Sequence, residues 1–153
     1  MSGILVGVDG SDHSRQALSW AVREAARHGL PLTVISVRPA PVRPATHIFW
    51  NIPVLEEDSH EVDQARAAVR EFVDKVVTES GETAPDITVT VVTGDPAAEL
   101  VQASHDADML VLGARGTGSF TRLLLGSVSS KVVHHSACPT MVVPGARHDQ
   151  APA

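Results

Sequence analysis

The sequence predicts an α/β fold: a doubly wound, five-stranded parallel sheet flanked by four helices, in a single domain over residues 1–145. Three observations predict it. Short runs rich in Val and Ile alternate with helical patterns along the chain. Several of those runs are apolar at every position, as parallel strands covered on both faces require. One run ends in a glycine-rich loop that leads into a helix start, a junction typical of such sheets.

The elements follow in order. Ile4–Val8 is the first strand. Ser11 caps the first helix, with Ala17, Leu18, Ala21, Val22 and Ala25 on one face, and Gly29 with Pro31 ends it. Leu32–Val37 is the second strand. The second helix spans about Ser59 to Ser80, with Val62, Ala65, Val69, Phe72 and Val76 as its apolar stripe. Ile87–Val92 is the third strand. Asp95 and Pro96 read as N-cap and first residue of a short third helix facing inward through Leu100 and Val101. Met109–Leu112 is the fourth strand. Gly126 and Ser127 open the fourth helix, which runs through Val128, Val132 and Val133 and is stopped by Pro139. Thr140–Val143 is the last strand. Right-handed crossovers join these into a β-α-β-α-β-α-β-α-β sheet.

Chemistry gathers after the fourth strand. Gly113, Gly116, Gly126 and Ser127 have the spacing G-x2-G-x9-G-S. Backbone N–H groups in a glycine loop and at a helix N-terminus suit a phosphate. No general phosphate signature fits. Gly118 is followed by Ser119 where a Walker loop needs Lys, and Thr121 stands where the dinucleotide pattern needs its third glycine. The charge pattern agrees. The chain has 18 Asp and Glu against 12 Lys and Arg, a net charge of -6. Yet Met109 to His148 contains no carboxylate, while Arg115, Arg122, Lys131 and Arg147 fall within it. Such a segment in an acidic protein suits an anionic ligand. The competing reading is a tight glycine turn with no ligand. Sheets of this kind bind ligands at the carboxyl ends of their strands, where strand order reverses. Three segments qualify: Asp9-Gly-Ser11, the end of the second strand at Val37, and the Gly113 loop.

Other classes are excluded or disfavoured. An acidic chain with only two Trp and three Phe offers neither a basic face nor a stacking platform for nucleic acid. No apolar run reaches the length of a membrane span. The N-terminus opens on a strand rather than a secretory signal, and Cys138 is the single cysteine, which fits a reducing, cytoplasmic setting. His134 and His135 are adjacent on a helix and point about 100° apart, so they do not chelate as a pair. No metal ligand set is expected. Cys138 has no evident base partner and is expected to be a buried small side chain rather than a nucleophile. The segment Arg38–Asp58, with Pro39, Pro41, Pro44 and Pro53, is a long connection. Its His47-Ile-Phe-Trp50 cluster covers either its own helix or a ligand or partner. Residues 146–153 are expected to be a disordered tail.

The glycine motif, the order of elements, Val8-Asp9-Gly-Ser11, Gly94-Asp-Pro96 and Cys138-Pro139-Thr-Met-Val-Val143 together resemble the universal stress protein family. The resemblance covers residues 3–144. It implies the family's adenine nucleotide alpha hydrolase-like fold and an ATP site. In that site Val8, Asp9 and the backbone of Val37 meet adenine and ribose. Gly113, Arg115 and Gly116 wrap the phosphates, and Gly126, Ser127, Val128 and Ser129 bind them at the helix N-terminus. It also implies a homodimer through Thr140, Met141, Val142 and Val143, paired antiparallel. The Arg38–Asp58 loop departs from the family, and no role carries onto it.

Phosphoryl transfer needs a carboxylate for Mg²⁺ and a residue to orient water. The phosphate segment offers neither, and Asp9 is the one acidic candidate beside it. Its alternative role is to close an Asx turn into the first helix. ATP is therefore expected to bind with Mg²⁺ or Mn²⁺ bridging its phosphates and with slow hydrolysis at most, as a nucleotide-dependent stress-response switch or sensor. The other class is a dimeric interaction or scaffolding module with an empty or incidental pocket. Co-purified adenine nucleotide would separate the two.

Overall fold

The computed structural model describes residues 3–40, 59–83, 86–116 and 125–145. The elements run β1 (Ile4–Gly7), α1 (Asp12–His28), β2 (Leu32–Arg38), α2 (Ser59–Ser80), β3 (Ile87–Thr93), α3 (Pro96–Ser104), β4 (Met109–Gly113), α4 (Ser127–His135) and β5 (Thr140–Val143). They form one parallel sheet in the order β3-β2-β1-β4-β5. The expectations for the loop beyond Ala40, for Gly118 and Arg122, and for the tail at 146–153 lie outside the described residues.

The helices sort onto two faces by the period-two alternation of the strands. Ile4, Val6, Leu32, Val34, Val89 and Val111 pack under α1 and α2 with Leu18, Val22, Val73 and Val76. Leu5, Ile35, Leu110 and Leu112 face the other way, against Ala97 and Leu100 of α3 and Val132 of α4. Hence β1 and β4 carry apolar residues at nearly every position, while β2 keeps Thr33, Ser36 and Arg38.

Local chemistry sets the ends. Ser11 accepts the Ser14 N–H at the start of α1, and Gly29 closes it at φ 64, a left-handed value that glycine adopts freely. Asp95 accepts the Ala98 N–H at 2.9 Å, with Pro96 as the first residue of α3. α4 ends at His135, before Pro139, because Ser136 Oγ takes up the turn, donating to Cys138 O at 3.0 Å. β2 and β3 each run one residue past the expected end, and Gly94 N–H to Arg38 O at 2.8 Å continues their ladder.

Two expectations of burial change. The α2 stripe is shorter than its periodicity suggests: only Val73 and Val76 are buried, and Val62 and Ala65 are half-buried. A 22-residue helix is ~33 Å long, while the 7-residue β3 is ~23 Å, so the first turns overhang the sheet. Cys138 is half-buried rather than buried, because it sits in the connection to an edge strand and touches the second core only from its rim. Val133 lies on the outer face of α4, 44% exposed, while its neighbour Val132 is fully buried.

Gly7 marks a close approach that positions the site. A Cβ there would stand 2.8 Å from Leu112 Cδ2 and 3.0 Å from Leu100 Cδ2. Gly7→Ala overpacks this layer and is expected to cost about 1–3 kcal/mol. The melting temperature should fall by roughly 2–10 °C. Thermal unfolding followed by circular dichroism reads it, and an unchanged midpoint would mean the two leucines relax freely.

Candidate functional site

Strand order reverses between β1 and β4, which leave the centre of the sheet in opposite directions. The carboxyl ends of β1, β2 and β4 are therefore neighbours, and the three segments singled out in the sequence meet there.

At the end of β1, Asp9 is exposed and closes an Asx turn: Ser11 N–H donates to Oδ1 at 3.0 Å, and the Ser11 hydroxyl donates to the same oxygen. The other oxygen faces the glycine loop. A Cβ on Gly116 would stand 2.5 Å from Asp9 Oδ2, so a larger residue there would make that carboxylate swing aside. Both readings of Asp9 thus have a geometric basis, one oxygen for each. Val8 contributes differently. Its side chain is in the core under α1 and α2, and its N–H donates to Ile35 O at 3.0 Å.

β2 extends beyond β1, because the register ends at Gly7 opposite Ile35. Ile35 O points to the β1 side, where it meets Val8 N–H. By the two-residue period, the N–H and C=O of Val37 point the same way, into the gap that β1 leaves when it turns off at Asp9. The donor and the acceptor of one residue thus face the mouth of the site.

The Gly113 loop is held by the two peptide groups that flank one residue. Ala114 N–H donates to Val143 O at 2.9 Å, and Ala114 O accepts from Gly126 N–H at 2.7 Å and from Ser129 Oγ at 2.7 Å. This ties the loop after β4 to the end of β5 on one side and to the start of α4 on the other. Arg115 is half-buried, and a Cβ on Gly126 would stand 3.4 Å from its Cα and 3.7 Å from Gly116 N. Gly113, Arg115, Gly116 and Gly126 are thus brought together. The Ser129 hydroxyl is committed to the loop, which leaves its backbone N–H as its group for a ligand. Ser127 is exposed and Val128 half-buried.

The start of α4 differs from those of α1 and α3. Its N-cap is Gly126, with no side-chain hydrogen bond to the first turn and no acidic residue there. Ser11 and Asp95 supply that bond in the other two. First-turn N–H groups need an acceptor, and the helix dipole favours a negative one. Together with the absence of carboxylates from the segment, this donor set fits a phosphate.

The sequence did not single out Ala114 or His13. Ala114 is a variable position of the motif, and its role is purely backbone. His13 carries no motif signal; its place is seen only in the folded chain, where a Cβ on Gly113 would meet its carbonyl carbon at 2.7 Å and its Cβ at 2.8 Å. Elsewhere, a groove of about 300 Å³ opens at the amino end of the sheet, lined by Thr33, Ile35, Thr90 and Ala107 with Asp106 as its charged group. A lone carboxylate over an apolar floor is wrong for an anion. Among the described residues no group of three His, Cys, Asp or Glu gathers to hold a metal, and no helix is long and apolar enough to cross a membrane.

A parallel α/β sheet with a glycine loop and an open helix N-terminus at its switch point is an arrangement that suits an anion. Comparison with known proteins narrows it. The model of the universal stress protein family matches residues 1–144, and the chain belongs to that family. It is 37% identical over 156 residues to a universal stress protein of Mycolicibacterium smegmatis, covering 96% of this chain and 50% of that one. Other mycobacterial relatives are covered to a similar extent, so the chain spans about half the length of the relatives it matches. Among solved structures it is similar to universal stress protein UspA from Lactobacillus plantarum, at 32% identity and a TM-score of 0.74, over 94% of this chain and 97% of that one. It is also similar to a universal stress protein in complex with cAMP, at 28% identity and a TM-score of 0.62, over 94% and 95% of the two chains.

Proposed function

We infer that this chain binds an adenine nucleotide, ATP, at the carboxyl edge of β1, β2 and β4, and serves as a nucleotide-dependent switch in a stress response. The observation that carries the reading is the α4 N-terminus. It lacks a side-chain cap and is bonded through Ala114 to a glycine loop with no carboxylate. In this reading Ser127, Val128 and Ser129 N–H groups meet the phosphates with Arg115, Gly113 and Gly116 around them. Asp9 Oδ2 accepts from the ribose, and the Val37 N–H and C=O face the adenine edge. The cAMP complex of a relative at 28% identity supports the adenine class. ATP supplies the phosphate charge that the open N–H groups lack. Turnover is slow at most, because the glycine loop carries no carboxylate and one oxygen of Asp9 is already committed to Ser11. The protein is a homodimer through β5 in the same reading.

Mass spectrometry of denatured, freshly purified protein tests occupancy. Co-purified adenine nucleotide supports the reading. No bound nucleotide, with no heat of ATP binding in calorimetry, would leave the dimeric interaction module as the better account.

A divalent cation is part of the proposal. One arginine and a helix terminus leave much of a triphosphate's charge unmet, so Mg²⁺ or Mn²⁺ bridging the phosphates should strengthen binding. Calorimetry should show affinity at least about tenfold lower in EDTA, roughly 1.4 kcal/mol. Equal affinity with and without the ion would remove the metal.

A further inference from the structure

We propose that His13 couples nucleotide binding to dimer formation, by wedging the root of the glycine loop against the end of the last strand. The proposal rests on the nucleotide and β5-dimer readings above.

The geometry joins three pieces of structure. His13 lies in the first turn of α1, with its backbone and Cβ against Gly113. Its ring lies against Gly145, two residues past β5, where an added Cβ would stand 2.6 Å from Cε1 and 2.7 Å from Nε2. Between these two glycines Ala114 N–H holds Val143 O at 2.9 Å, while Ala114 O holds the start of α4. His13 therefore abuts both ends of the link between the glycine loop and the strand that pairs across the proposed dimer, Gly113 through its backbone and Cβ and Gly145 through its ring, and only the second contact is lost in His13→Ala. Nδ1 is buried and has no hydrogen-bond partner among the described residues, so packing rather than a polar tether holds the ring there. Close-packed groups transmit small displacements. A phosphate that draws the loop and α4 together moves Ala114, and with Val143 and Gly145 tied to the same point, the β5 end is set in the geometry that pairs. Coupling of two binding events is reciprocal, so pairing must tighten the nucleotide by the same factor.

Sedimentation equilibrium of the full chain, with and without Mg²⁺ and a non-hydrolysable ATP analogue, reads the coupling. Calorimetry on the same samples reports binding by itself. The wild type should dimerise about fivefold or more tightly with nucleotide. His13→Ala should bring that factor close to one. His13→Gln, which keeps a flat polar end of similar reach, should retain most of it. Gly145→Ala should reduce the factor in the wild type and change nothing further in His13→Ala, since the ring it strikes is gone. It also provides a variant outside α1 should His13→Ala fold poorly. No heat of binding would overturn the nucleotide reading. Normal binding with a dimer constant indifferent to nucleotide would overturn the coupling alone, as would a protein that binds and stays monomeric. Equal coupling factors in wild type and His13→Ala, or additive effects of the two substitutions, would remove His13 from it.

Discussion

Gly126→Asp is expected to abolish nucleotide binding while leaving the protein as stable as before, or slightly more so. Gly126 sits at φ -74 and ψ 174, ordinary extended backbone that any residue adopts. A Cβ there would meet its nearest neighbours at 3.4–3.7 Å, which is plain van der Waals contact. The substitution therefore fits. Aspartate is also among the best N-caps, a few tenths of a kcal/mol better than glycine. Its carboxylate would accept the first-turn N–H groups that the proposed phosphate uses, and would repel the phosphate as well. Two unit charges about 4 Å apart repel by about 4 kcal/mol at an effective dielectric constant near 20, roughly a thousandfold in affinity. Gly126→Ala, which fits equally and brings no charge, should bind nearly normally. Gly116→Asp should also stop binding, since it sets a second carboxylate against Asp9 Oδ2. Calorimetry paired with thermal unfolding reads each effect. A Gly126→Asp protein that melts higher and binds no ATP fits the proposal, and normal binding would refute the phosphate assignment. A variant that fails to fold would make the glycines a structural turn.

The second large effect concerns assembly. In the proposed β5 dimer, Val142→Pro should weaken association by about an order of magnitude or more without disturbing the sheet itself. Leu110 N–H bonds Pro139 O and Ala114 N–H bonds Val143 O, so the odd-numbered carbonyls of this stretch face β4. By the two-residue period, Thr140 and Val142 present their N–H and C=O groups to the open edge. Proline at 142 deletes an outward donor and no inward one. Met141, 38% exposed, adds apolar surface at the same edge, which unpaired invites non-specific association. Sedimentation across a concentration series decides. An unchanged dimer in Val142→Pro, or a wild type that remains monomeric when concentrated, would sink the β5 interface. Val143→Pro serves as the contrast, since its N–H faces β4 and its loss should destabilise the fold.

Much of this architecture is legible in the residues because local and global signals agree. Asp95-Pro96 starts α3, Gly29 ends α1, and both-sided apolar runs mark the inner strands. Strand order is not local. Nothing near Ile4 says that Met109 will lie beside it, and the switch point that gathers Asp9, Val37 and Gly113 appears only in the folded sheet. The overhang of α2 was missed for a related reason: periodicity reports which face of a helix is apolar, not how far the neighbouring sheet extends. Ser129 shows a third limit. Its residue type suited a phosphate donor, but its hydroxyl is spent on Ala114 O, an acceptor fifteen residues back along the chain. The role of Ala114 itself lies wholly in its peptide groups, which sequence cannot mark.

The placing of β1 at the middle of the sheet has a consequence for biosynthesis. Its first neighbour, β2, follows within thirty or so residues, but Ile4, Leu5 and Val6 meet Met109, Leu110 and Val111 only after about seventy more have been made. At ribosomal speeds of about 5–20 residues per second, that is an interval of roughly 4 to 14 s. Throughout it, the strand destined to be among the most buried is an open margin of a half-built sheet, with Leu5 and Val6 awaiting cover on one side. The nascent chain is thus most prone to mispairing just before β4 emerges, and chaperone capture should be strongest on stalled chains that end before residue 109.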